Sequence, residues 1–86
     1  MAPDLDSPEK IAKYLSEAFE TADASCITRA IGDAARAQGM TELAKKAGFS
    51  RESLYRALRG EINPGFETIV RVLTAMDIRL SAKRRP

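Results

Sequence analysis

The stretch Thr41–Gly60, TELAKKAGFSRESLYRALRG, decides the fold, because a helical pattern breaks and restarts in the middle of it. Leu43, Ala44 and Ala47 fall on one apolar face of a short first helix, with Thr41 ahead of them able to cap its free backbone N–H groups. Gly48 supplies the left-handed residue that a helix end commonly needs, and Ser50, two residues on, is a second N-cap that restarts the chain as a new helix. In that helix Leu54, Ala57 and Leu58 point inward, while at about 100° per residue Glu52, Tyr55, Arg56 and Arg59 project the other way. Two helices joined by so short a turn cross steeply, so the residue where they touch must be small. Ala44, with Gly48 four positions on, gives that clearance. The stretch reads as a helix-turn-helix whose outer face is cationic and aromatic, a face suited to DNA.

The segments on its N-terminal side read as two longer helices. Ser7 followed by Pro8 is a helix start, and Ile11, Tyr14, Leu15, Ala18, Phe19 and Ala22 then fall on one stripe at i, i+3, i+4, i+7, i+8 and i+11, giving a first helix to about Thr21. Residues 1–6 precede that signal and are expected to fray. Asp23 begins a second helix that ends at Gly39; its inward residues Ile27, Ala30, Ile31 and Ala34 are mostly small, which favours a central position.

On the C-terminal side the loop Glu61-Ile62-Asn63 leads to Pro64, where Asn63 as cap and proline at the first helical position mark a last helix carrying Phe66, Ile69, Val70, Leu73 and Met76. Those residues give enough apolar area to cover the backs of Leu54 and Leu58. From Ile78 to Lys83 the period changes. Ile78, Leu80 and Ala82 alternate with Arg79, Ser81 and Lys83, a strand pattern. The chain holds no second strand, so antiparallel pairing with its own copy across a two-fold axis is what would satisfy the backbone, with Ile78, Leu80 and Ala82 at the seam of a homodimer. The fold expected is therefore a single all-α domain over residues 1–86: five helices with the helix-turn-helix at 41–60, and a short dimerisation strand at 78–83.

Composition narrows the function. With 86 residues there is room for one core and not for a sizeable ligand pocket as well. At 44% hydrophobic and 30% charged the chain is ordinary for a soluble protein; no apolar run approaches the ~20 residues of a membrane span, and the N-terminus shows no secretory pattern, so a cytoplasmic location is expected. The lone Cys26 cannot form an internal disulfide, and with no histidine there is no Cys/His metal set. No metal or cofactor is expected. Paired carboxylates and Gly-rich phosphate loops are missing too, so the chain does not read as an enzyme. The net charge of +2 hides a division: residues 1–39 hold seven acidic groups against four basic, −3, and residues 40–86 hold ten basic against five acidic, +5. The basic half suits phosphate and the acidic half a cationic partner.

On this reading Ser50 to Arg59 lies in the major groove of double-stranded DNA. Arg56 can present its guanidinium fork to guanine and Glu52 can accept from cytosine, while Arg51 and Tyr55 stand where either could reach a base edge or a phosphate. Ser53, Arg59 and Lys45 read as phosphate contacts, as do Asn63 and the free N–H groups opening the last helix. A dimer would set two such helices about one turn, ~34 Å, apart, so the operator should be a palindrome. The rival is a stand-alone repressor, or a protein-interaction domain that keeps the fold without binding DNA.

The pattern of Leu43, Ala44, Gly48, Phe49, Ser50 and Leu54 resembles the lambda-repressor-like helix-turn-helix proteins. More broadly, residues 8–83 resemble the addiction-module antidote proteins, antitoxins built on such a domain. The residues that carry this are Tyr14-Leu15, the run Ala30–Met40 (AIGDAARAQGM), Leu43-Ala44, Gly48, the string from Ser50 to Leu58, Asn63-Pro64, Phe66, Thr68 and Leu80-Ser81. The resemblance implies a repressor that binds its own operator and, together with a small cognate toxin encoded beside it, both neutralises that toxin and tunes the repression. The chain departs from the pattern twice. Met40 stands where lambda-repressor-like domains often place a phosphate-clamping glutamine, so that contact passes to Thr41 or is lost. Asp77 stands where antidotes tend to have glycine, and it tolerates a left-handed conformation at some cost.

Overall fold

A computed structural model describes residues 4–86, and among them the chain forms five helices and no strand. The first, α1 (Pro8–Glu20), starts where Ser7 and Pro8 predict, with the Ser7 hydroxyl accepting from the Lys10 N–H at 3.2 Å. Ile11, Leu15 and Ala18 are buried and Tyr14 and Phe19 half-buried. The stripe stops short of Ala22, which is exposed with φ 54° in the turn that swings the chain into the next helix. The expected fraying of residues 1–6 is corrected for 4–6: Leu5 is buried against the core, and Lys10 Nζ pairs with Asp4 at 2.9 Å and Asp6 at 3.0 Å. Residues 1–3 lie outside the described residues.

The second helix, α2 (Ala24–Gln38), is capped by the Asp23 carboxylate, which accepts from the Cys26 N–H at 3.0 Å. It buries Thr28, Ala30, Ile31, Gly32, Ala34 and Ala35 and packs on α1 and on the helix that follows it, which in turn touches the two last helices and so takes the central place expected of α2. A polar clasp joins it to α1: the Tyr14 hydroxyl donates to one Asp33 carboxylate oxygen at 2.6 Å while Arg36 holds the other. Donating to that carboxylate, and then burial, push the Tyr14 hydroxyl up to about 12.

Gly39, with φ 110°, alone separates α2 from α3 (Met40–Ala47). Because α2 runs on to Gln38, the N-cap of α3 falls on this glycine and no side chain fills it; Thr41, expected as the cap, is instead an exposed residue of the first turn. Gly48 adopts the left-handed conformation at φ 82°, and the N–H groups of Gly48 and Phe49 both donate to the Ala44 carbonyl at 2.9 Å. Ser50 then caps α4 (Arg51–Ala57), its hydroxyl accepting from the Ser53 N–H at 3.1 Å. Leu54 and Leu58 are fully buried; Ala57 is half-buried.

The last helix, α5 (Phe66–Ala75), begins later than Asn63-Pro64 suggests. Gly65 takes the N-cap position in an extended conformation, leaving Pro64 in the loop. Phe66 is consequently 73% exposed. It shares a stripe with Leu73 two turns on but lies beyond the surface against which Val72, Leu73 and Met76 pack. Asp77 does adopt the left-handed conformation, φ 59°. The strand expected at 78–83 does not form: the segment has no regular structure, because a lone strand has no ladder partner. Ile78 is half-buried with its N–H donating to the Leu73 carbonyl at 2.9 Å, whereas Leu80 and Ala82 are exposed. No helix among the described residues is long and apolar enough to cross a membrane.

At Gly32 the helix comes up against backbone: a Cβ there would stand 2.6 Å from the Leu58 carbonyl oxygen, an atom that cannot swing aside as a side-chain end can. Two effects compete on replacing it. Alanine is the better helix former by about 1 kcal/mol, while overpacking against backbone costs about 1–3 kcal/mol. The contact should win, so Gly32→Ala is expected to lower the melting temperature by several degrees; a melting temperature that rises would show that the two backbones separate freely.

Candidate nucleic-acid interface

The outward face of α4 is set by its periodicity and gripped at both ends. At the N-terminal end, Arg71 of α5 reaches across to the Gly48 turn: Nε donates to the Ala47 carbonyl at 3.0 Å and Nη2 to the Gly48 carbonyl at 3.1 Å, with the guanidinium 4.2 Å from the centre of the Phe49 ring. These bonds satisfy carbonyls that the end of α3 leaves without helical partners. At the far end, Leu58 lies on Gly32, and the Ser25 hydroxyl donates to the Gly60 carbonyl at 3.2 Å. A helix of 7 residues is too short to hold its own conformation, so these tertiary grips orient it.

What α4 presents is one stripe. Arg51, Glu52 and Arg56 are exposed along it, and Tyr55 is half-buried and packed on the core; the helix ends at Ala57, so Arg59, expected on its outer face, is instead exposed in the turn beyond it. Glu52 and Arg56 make no ion pair among the described residues, so the intrahelical pair that would have neutralised both is absent. Arg59 stands 3.8 Å from Glu61 and Lys45 3.9 Å from Glu42, both pairs exposed. Exposed pairs of this kind contribute about 0–1 kcal/mol and leave the cations free to exchange partners. Arg51 lies over Tyr55, its Cζ 4.9 Å from the ring centre and its Nη2 donating to the hydroxyl at 3.3 Å.

The remaining residues singled out from the sequence divide. Thr41 is exposed at the start of α3, where the uncapped N–H groups also open. Ser50 and Ser53 are tied to each other, the Ser50 hydroxyl donating to Ser53 Oγ at 2.8 Å, so Ser50 serves first as a cap. Asn63 is exposed in the loop and does not cap α5. Of the seam residues, Ile78 packs on the core; Ile78 and Ser81 border a shallow groove with Ala12, Leu15, Ser16 and Phe19 of α1. Sequence reasoning missed Arg71 and Gly32, whose partners lie more than 20 residues away. It also missed the Arg51–Tyr55 stack, which their i, i+4 spacing could have revealed.

The class these features define is a small all-helical protein offering one short, firmly held helix with a cationic outer face. A family model described as "Probable addiction module antidote protein" matches residues 1–84, and the chain belongs to that family. It is also 39% identical over 84 residues to an uncharacterized protein of Haemophilus influenzae, across 98% of this chain and 87% of that one. No solved structure matches it.

Proposed function

We propose that this chain is a DNA-binding antitoxin of a toxin–antitoxin module: α3 and α4 act as a lambda-repressor-like helix-turn-helix, α4 enters the major groove of an operator in its own operon, and the protein neutralises a small cognate toxin. The single observation that carries the DNA part is the exposed stripe of α4, where Arg51, Glu52 and Arg56 lack ion-pair partners among the described residues. A guanidinium fork and a carboxylate held outward on a gripped helix match the donors and acceptors of G·C pairs in the major groove. Lys45, Ser53, Arg59, Thr41 and Asn63, all exposed, serve in this reading as phosphate contacts. The toxin part rests on the family.

The reading includes a homodimer. Asp77 turns the chain out of α5, and the backbone of residues 79–83 then finds no ladder partner within its own chain. Pairing with a second copy would supply those partners and cover Leu80, which is 44% exposed. The two-fold axis that results would place two α4 helices on a palindromic operator.

Two measurements test this. Arg56→Ala should cost about 1–3 kcal/mol at the operator and far less on random DNA; equal losses on both would demote Arg56 to a phosphate contact. Ending the chain at Asp77 should give a folded monomer by sedimentation that binds the operator weakly yet still captures the toxin encoded beside it. A truncated protein that remains a dimer with undiminished operator affinity would remove the tail from the seam.

A further inference from the structure

We infer that Tyr55 is a positioning residue, and that with it Arg51 forms a single reading unit for a guanine in the operator. The inference rests on the DNA-binding reading above. Arg51 opens α4, where a cation is disfavoured by the positive end of the helix dipole and where a long exposed side chain has many rotamers to choose from. Its position is nevertheless defined. The guanidinium lies over the Tyr55 ring at 4.9 Å from the ring centre, and Nη2 donates to the Tyr55 hydroxyl at 3.3 Å. Tyr55 is in turn held, half-buried and packed on the core next to the fully buried Leu54. The ring thus carries rigidity from the core to the tip of an exposed arginine.

This has a chemical consequence. Stacking occupies a face of the guanidinium, and the hydroxyl takes a donor on Nη2, which leaves the other N–H groups of the fork without a partner among the described residues. A bidentate pair with guanine O6 and N7 needs such a fork and discriminates against other bases by roughly 5- to 150-fold. Pre-organising it removes part of the ordering cost of binding. Tyr55 therefore acts through Arg51 and touches no base itself.

The test is selection from a duplex library with a random core of about 25 base pairs, using the full chain as wild type, Arg51→Ala, Tyr55→Phe and Tyr55→Leu. Leucine keeps the apolar packing but has neither ring nor hydroxyl; phenylalanine keeps the ring. Wild type should select a site with a guanine that Arg51→Ala makes degenerate. Tyr55→Leu should lose the same preference, on the order of five-fold or more at that one position, and Tyr55→Phe should retain most of it. A consensus from Tyr55→Leu identical to wild type overturns the inference while leaving the DNA reading intact, as does a loss at any position that Arg51→Ala does not affect. If wild type selects no consensus at all, the DNA reading falls first.

Discussion

The left-handed turn at Gly48 sets the course of everything that follows it. Both the Gly48 and Phe49 N–H groups fold back onto the Ala44 carbonyl, so α3 ends abruptly and α4 must leave at a steep angle. Any L-residue at φ 82° would be strained, and a Cβ there would also collide with the Arg71 guanidinium that closes the turn from above. Arg71 thereby links three elements, bonding to the carbonyls of α3's end and stacking on Phe49 while rooted in α5. The opposite end of α4 is set by Gly32, where the absence of a side chain lets α2 meet the Leu58 carbonyl. A short helix fixed at both ends can hold its outer side chains in place without a core on that side.

That division of labour explains the charge pattern. α1 and α2 supply most of the scaffold and the acidic excess; the segment from Met40 onward carries the basic excess and the outward stripe of α4. Within the scaffold the charges nearest the core are engaged with one another: Tyr14, Asp33 and Arg36 bind together, and Lys10 holds Asp4 and Asp6. On α4, Glu52 and Arg56 are left without ion-pair partners among the described residues. A protein of the antidote family with its polar groups arranged so has a folded frame on one side and unspent hydrogen-bonding capacity on the other.

Much of this was legible in the sequence wherever the signal was local. Ser7-Pro8, Asp23, Gly48 and Ser50 announce helix boundaries within three or four residues of themselves, and the structure uses each in that way. The exposed stripe followed from the helical period alone. Readings failed where a local preference met a stronger neighbour. Thr41 lost its capping role because α2 ran up to Gln38, and Asn63-Pro64 lost theirs to Gly65. The alternation of Ile78, Leu80 and Ala82 is a real periodicity, but a strand is a property of two segments and one chain offers only one. Contacts between distant positions, such as Gly32 with Leu58 or Arg71 with Ala47, have no signature in a single sequence.

The most direct test of the central claim, that the α4 face is a DNA-binding surface, is the dependence of duplex affinity on salt. Each phosphate neutralised by Lys or Arg releases counterions, so the logarithm of the binding constant should fall linearly with the logarithm of salt, with a slope of roughly −0.9 per contact. The account predicts a steep negative slope between about 50 and 200 mM salt that becomes shallower by about one unit per protomer when Arg59 is replaced by glutamine. An affinity for the selected duplex that does not change with salt, or no measurable affinity at the lowest salt, would contradict it.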